Sequence, residues 1–159
     1  MTTNKNQACC FTGHRKLPQE KIEKIILNLN REVENLIAQG VTDFISGGAL
    51  GFDQIVASLI VAKKEIGRDI RLIFALPCKN QDERWSADQK CLCHNLLAEA
   101  DEIIYVSEEY ADGCMKKRNR YMVDRSAYCV CARLYSMSGT DQTVRYARQN
   151  GLRIINVAD

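Results

Sequence analysis

Apolar positions recur along this chain in two alternating rhythms. Short continuous apolar runs, such as "ACCFTG" at 8–13, give way to longer stretches where apolar residues return every three or four positions. The first rhythm is what a strand buried on both faces requires, and the second what an amphipathic helix requires. The clearest helix carries Ile22, Ile25, Ile26, Leu29, Val33, Leu36 and Ile37, with Pro18 suited to its first turn and Gly40 placed to end it. Strands are predicted at 8–13, 41–46, 69–77, 102–107, 128–135 and 153–158. Between them come helices opening near Pro18, after Gly51, at a capping box formed by Asn80 and Glu83, and over 114–127 and 141–151. The stretch after Gly51 is apolar nearly all round, at Ile55, Val56, Leu59, Ile60 and Val61, so burial on most sides is expected.

Regular alternation of buried strands with helices implies parallel pairing, because parallel strands need crossover connections. Right-handed crossovers then give a Rossmann-like, doubly wound α/β domain. The expected form is one domain over 1–159, with a mainly parallel six-stranded sheet and helices on both faces. No linker, repeat or low-complexity segment interrupts the pattern.

Composition narrows the function classes. A net charge of +2 over 159 residues gives no overall pull toward nucleic acid or an anionic membrane, and no apolar run reaches the roughly 20 residues of a membrane span. The opening "MTTNKNQACCF" lacks the basic-then-apolar layout of a secretory leader, so a cytoplasmic protein is expected. That expectation bears on the eight cysteines, which show no Cys-x-x-Cys or Cys/His knuckle and read as reduced thiols acting as small hydrophobes. No metal is expected.

In an open parallel sheet, ligands bind beyond the carboxyl ends of the strands. Three segments leave strands there. In "FTGHR", Thr12 offers a hydroxyl, Gly13 a close backbone approach, His14 a hydrogen bond or proton transfer, and Arg15 a partner for phosphate or carboxylate. In "FISGGALGFDQ", Ser46, Gly47, Gly48 and Gly51 precede a helix, which predicts free amides at an anion-binding helix start. Asp53 would repel that anion unless it caps the helix or accepts from a ribose hydroxyl, and close helix–strand packing is the competing reason for the glycines. In "MSGTDQT", Ser138, Gly139 and Thr140 form a second such turn. Farther out, Arg84 and Trp85 stand early in an expected helix, where Trp85 would stack on a base or anchor the helix. Asn119 shares a helical face with Met122 and Val123 and would need a partner, whereas Arg118, Arg120 and Arg125 read as a solvated face.

Taken in order, "CCFTGHR", "FISGGALGFDQ", "ALPC" with "QDERW", "YVSEEYADGCMKKRNRYMVDRS" and "SGTDQTVRYARQNGLRIINV" resemble the YpsA-type branch of the SLOG superfamily, a group of bacterial domains. The resemblance runs over nearly the whole chain. It implies a Rossmann-like fold related to the DNA-processing protein DprA and to the lonely-guy phosphoribohydrolases, with a nucleotide or nucleotide-derived ligand that is sensed or processed. It also implies that Gly47, Gly48 and Gly51 match one glycine motif and Ser138-Gly139-Thr140 the other, with Ser138 where the motif commonly has glycine. Lonely-guy enzymes carry a glutamate three residues after the motif's threonine. The matching residue here is Thr143, which cannot steady a ribosyl cation or relay a proton as a carboxylate does.

Three functions follow for comparison. The first is binding of a nucleotide-like small molecule in a sensing or regulatory role, with no required cofactor. The second is hydrolysis of a nucleotide's glycosidic or phosphate bond, with His14, Asp53 or Asp124 as acid or base. The third is single-stranded DNA binding, for which Arg118, Arg120, Arg125 and Tyr121 are candidates and the balanced charge is an argument against. A partner chain covering the apolar second helix would make the protein a homodimer; no membrane partner is expected.

Overall fold

Gly40 shows how local chemistry sets the architecture. At φ 98° it takes the left-handed position after the first helix. Its amide donates to the Ile37 carbonyl and the next amide, Val41, to the Leu36 carbonyl, both at 3.0 Å. This pair of bonds satisfies the carbonyls left over at a helix end and turns the chain back toward the sheet.

The computed structural model describes residues 4–159. The first three residues of the stretch read for a leader lie outside them. Strand β1 is Ala8–Gly13 and is followed by α1, Gln19–Ala38. Then come β2, Asp43–Ser46; α2, Phe52–Glu65; β3, Arg71–Leu76; and α3, Ala87–Ala98. The chain ends with β4, Glu102–Tyr105; α4, Cys114–Asp124; β5, Tyr128–Ala132; α5, Gly139–Gln149; and β6, Arg153–Asn156. Most strands are shorter than their apolar runs, because the last apolar residues of a run often belong to the loop beyond the ladder. Helix α5 begins two residues earlier than its periodicity, which puts Gly139 and Thr140 in its first turn.

The six strands pair in the order β4-β3-β2-β1-β5-β6, all parallel. Side chains alternate along each strand between two cores. Cys9, Phe11, Phe44, Leu72, Phe74 and Val130 pack under Ile25, Leu29 and Val33 of α1, Val56 and Ile60 of α2, and Leu96 of α3. Ala8, Cys10, Ile45, Ile73 and Cys129 pack under Met122 and Val123 of α4 and Ala147 of α5. The fold is therefore a doubly wound, Rossmann-like α/β sheet. The chain runs outward from β1 to β4 on one side and resumes at β5 on the other, so strand order reverses between β1 and β5. That reversal opens a crevice at their carboxyl ends, where Gly13 stands opposite Ala132.

Seven cysteines are buried and Cys91 is exposed, and all eight are free thiols. Burial pushes Cys9 and Cys131 up, the latter to about 12, as for thiols that pack and do not react. Among the described residues no helix is long and apolar enough to cross a membrane. Helix α2 is less enclosed than its composition predicts: Ile55 and Leu59 border an open groove with Ile26 of α1 and Leu92 of α3.

One boundary is a correction. Asn80 and Glu83 open no helix: residues 79–84 are turns, and Asn80 Oδ1 accepts the Tyr110 amide at 3.2 Å. The capping box sits at Ser86, whose Oγ accepts from the Gln89 amide at 3.2 Å while Gln89 Oε1 accepts from the Ser86 amide at 2.9 Å. Accordingly, Ser86→Ala should lower unfolding stability by about 1 kcal/mol in urea titrations. The same measurement on Glu83→Ala should stay within about 0.5 kcal/mol of the parent.

Candidate functional site

The β1–α1 loop enters the crevice first. Gly13 has no room for a side chain, since a Cβ there would lie 2.4 Å from the Phe52 ring. His14 ties neighbouring loops together. Its Nε2 accepts the Leu134 amide at 3.1 Å, its ring packs on Tyr135 with centroids 4.9 Å apart, and its carbonyl accepts the Phe52 amide at 3.2 Å. Burial lowers its pKa, which favours the neutral ring that this acceptor role needs. An Nε2 held by a backbone amide is not available for proton transfer, which corrects the acid/base expectation for that atom. Thr12 and Arg15 flank it, one buried and one exposed.

The glycine turn between β2 and α2 is filled by the protein itself. A Cβ on Gly51 would meet the Arg15 carbonyl oxygen at 2.2 Å, and one on Gly48 would meet Leu76 Cδ2 at 2.5 Å. On Gly47 it would lie 2.6 Å from Arg118 Nη1 and 2.8 Å from Asp53 Oδ2. Two amides of the turn are also committed. Gly48 donates to Ser46 Oγ at 3.3 Å and Ala49 to Asp53 Oδ2 at 3.2 Å, while Ser46 Oγ donates to the Asp53 carbonyl at 2.9 Å. For the Ser46 hydroxyl and the Gly48 amide, the expectation of a free anion-binding group is therefore corrected. Close packing requires these glycines, and the carboxylate of Asp53 already occupies the turn.

Asp53 is buried, and desolvation raises its pKa against the opposing pull of Arg118, the Ala49 amide and Arg15. Arg118 is its nearby countercharge, 4% exposed and not on a solvated face as the charge run suggested. The guanidinium donates to the carbonyl of Gly47 and to that of Ala75 at 3.5 Å, and Nε donates to Asn119 Oδ1 at 2.8 Å. Desolvation lowers the Arg118 pKa while Asp53 opposes the shift. Cys114, Arg118 and Met122 are all buried at four-residue spacing on α4, so the inward face was legible once arginine was allowed on it.

The turn between β5 and α5 is built differently. Ser138 caps α5, accepting from the Asp141 amide at 3.0 Å and donating to the Tyr135 carbonyl at 3.1 Å. Asp141 holds the loop: its carboxylate accepts from Arg133 Nε at 2.6 Å, Arg145 Nε at 3.0 Å and the Met137 amide at 3.2 Å. The hydrogen bond from Arg133 leads the causes that lower its pKa. Among the described residues the Gly139 and Thr140 amides have no protein acceptor, and a Cβ on Gly139 would meet nothing within 4 Å. Thr143 Oγ1 donates to the Gly139 carbonyl at 3.0 Å, within its own helix.

These pieces enclose a cavity of about 240 Å³. Thr12, Gly13, His14, Arg15, Asp53, Asn119, Gly139 and Thr140 line it, as do Ala49, Met115 and Arg118, which the sequence reading did not place there. Met115, Asn119 and Gly139 also border a second cavity of about 580 Å³ between α4 and α5, with Tyr110, Lys116, Arg120, Arg145 and Tyr146 around it. The two form one cleft. Arg84 is exposed and Trp85 half-buried in the turns before α3, and they line neither cavity. Asp124 is exposed at the end of α4, lines neither, and accepts the Tyr146 hydroxyl at 2.7 Å. It is not placed to act as an acid or base on anything in the cleft. Among the described residues no group of three His, Cys, Asp or Glu side chains is arranged to hold a metal ion.

The model of the YpsA family, described as the YspA SLOG family, matches residues 9–150. The chain is similar to the uncharacterized SPbeta prophage-derived protein YoqJ of Bacillus subtilis (strain 168), 40% identical over 121 residues, which are 69% of this chain and 71% of that protein. It is 24% identical to a UPF0398 protein of Bacillus pumilus over 116 residues, 72% of this chain and 62% of that one. Among solved structures, DNA processing protein A (DprA) from Streptococcus pneumoniae superposes with a TM-score of 0.66 at 18% identity. That likeness covers 94% of this chain and 50% of DprA, so the chain spans about half the length of the larger protein. DprA from Helicobacter pylori, solved for its single-stranded DNA binding mode, gives 0.63 at 20% identity over 96% of this chain and 64% of that one. At these identities the likeness is one of fold.

Two measurements check the site's construction. Gly51→Ala forces a side chain into φ 84° and against Arg15, so it should cost at least about 2 kcal/mol in chemical denaturation. Asp141 has a folded pKa below its unfolded value, so its contribution is present above the ordinary carboxylate pKa and is lost as pH falls through the folded value. The stability gap between the parent and Asp141→Asn should therefore be widest near neutrality and narrow below about pH 4. A gap that stays constant down to pH 2 would contradict the assigned role.

Proposed function

The chain belongs to the YspA SLOG family, and on that premise we propose that it binds a nucleotide or nucleotide-derived small molecule in this cleft, in a sensing or regulatory role. The observation that carries the reading is the pairing of unlike subsites in one crevice at the strand-order reversal. At one end, two acceptor-free amides open α5, and Arg118 lines the same cavity. A helix start of this kind attracts anions through its amides and its dipole, which suits a phosphate. Thr12, Thr140 and Asn119 add hydroxyl and amide groups to the lining of the same cavity, which suits a sugar. At the other end, the larger cavity supplies aromatic and cationic side chains and room for a base. Its volume lies within the range of about 300–1,000 Å³ common for small-molecule sites.

Hydrolysis is less well supported. Thr143, where the hydrolase glutamate would stand, donates to the Gly139 carbonyl of its own helix, His14 Nε2 is engaged, and Asp124 lines neither cavity. Asp53 is the remaining acid in the cleft, and it is held by the turn it organises. Single-stranded DNA binding belongs to the Helicobacter protein, whose likeness to this chain is one of fold.

Thermal unfolding in the presence of nucleoside mono- and diphosphates and ADP-ribose-like compounds tests the reading. A true ligand at 100 times its dissociation constant should add about 2.7 kcal/mol of stability. Gly139→Val gives the matching control. Its new side chain meets open space, so the free protein should stay within about 0.5 kcal/mol of the parent while the ligand-induced shift disappears. If no compound in the panel shifts the parent, the cleft is not a nucleotide site. Release of free base or phosphate during incubation would instead favour the hydrolase.

A further inference from the structure

Within that reading, on which this step rests, we infer that Arg120 is the platform on which the ligand's nucleobase stacks, and that Tyr146 and Asp124 hold it in place. Arg120 borders the larger cavity, and its guanidinium lies over the Tyr146 ring at 4.7 Å from the centroid. The ring is itself fixed, because its hydroxyl donates to Asp124 Oδ1 at 2.7 Å. That hydrogen bond leads the causes that raise the Tyr146 pKa, so the phenol stays protonated and keeps donating at neutral pH. Carboxylate, phenol ring and guanidinium thus form a chain of contacts from the end of α4, across α5, and back to the middle of α4. A freely moving surface arginine would spend rotamer entropy on ordering when a ligand arrived. Here part of that ordering is already present in the free protein.

A guanidinium is planar and weakly hydrated, and nucleobases stack on it as they do on aromatic rings. One side of the Arg120 group is taken up by Tyr146, while the residue also borders the cavity. The bordering residues Met115, Asn119 and Gly139 are common to both cavities, so the scheme assigns a phosphate at the α5 amides and a base on Arg120 to one molecule. Lys116 and Arg145 border the same cavity but, among the described residues, carry no such backing ring. Asp124 and Tyr146 are positioning residues in this scheme, and the specificity lies in the plane of Arg120.

The alternative role for Arg120 is a plain positive charge, and Arg120→Lys separates the two because it keeps the charge and removes the plane. Calorimetric titration of the four nucleoside 5′-monophosphates and of ribose 5-phosphate into the parent, Arg120→Lys and Asp124→Asn makes the comparison. Arg120→Lys should weaken the nucleotides by roughly five- to hundredfold and leave ribose 5-phosphate unchanged. Asp124→Asn should show the same selectivity with a smaller loss, and thermal unfolding without ligand confirms that both variants are folded. Equal weakening of nucleotides and ribose 5-phosphate, or no weakening of either, overturns the platform while leaving the cleft as the binding site. Ribose 5-phosphate binding the parent as tightly as the nucleotides does the same. Failure of all five compounds to bind the parent overturns the reading of the cleft itself.

Discussion

A single buried cation shapes the crevice. Arg118 is drawn off the surface of α4 into the space between the β2–α2 turn and the end of β3, where it meets the carbonyls of Gly47 and Ala75. Burying a guanidinium costs on the order of several kcal/mol unless hydrogen bonds and an opposite charge offset it. The carbonyls supply the first, and Asp53 supplies the second. Because Asp53 must face this cation, it also turns back to bind the Ala49 amide, and the turn closes on itself. The absence of a side chain at Gly47 is what lets the guanidinium and the carboxylate come this close.

The two glycine-bearing turns consequently do opposite things. The β2–α2 turn spends the Gly48 and Ala49 amides internally and offers the cleft a wall, chiefly Ala49 and Asp53. The β5–α5 turn spends its side chains on order, through Ser138 and the Asp141 pairs with Arg133 and Arg145, and leaves its first two amides uncommitted. Similar sequence signatures, glycine beside small polar residues after a strand, thus describe a packing joint in one place and an open helix start in the other. The difference lies in what packs against each turn. Arg15, Leu76 and Arg118 press on the first, whereas Gly139 has empty space beside it.

Much of the fold was readable along the chain because buried strands and one-sided helices impose different apolar periods. All six strands and five α-helices are legible there; the short 3-10 turn at Lys5–Gln7 is not, and the remaining differences are of boundary, as at Asn80, where a plausible cap lost to the better one at Ser86. The site was harder to read. Thr12, Gly13, Asp53, Gly139 and Thr140 do meet in one cavity, since each stands at or soon after a strand end that faces the crevice, and Asn119 joins them from the middle of α4. Trp85 and Asp124 are candidates by their chemistry alone, and the loop before α3 and the far end of α4 carry them elsewhere.

The order of apolar and polar residues determined, unaided, that this chain would form alternating strands and helices, where they would turn, and that the sheet would be parallel. These are consequences of spacing, which is local. Which amides stay free, which arginine is buried and which aspartate is spent on another loop were decided by tertiary structure. Those outcomes depend on groups far apart in the chain, such as Arg118 and Gly47 or His14 and Leu134, competing for the same donors and acceptors once the sheet has brought them together.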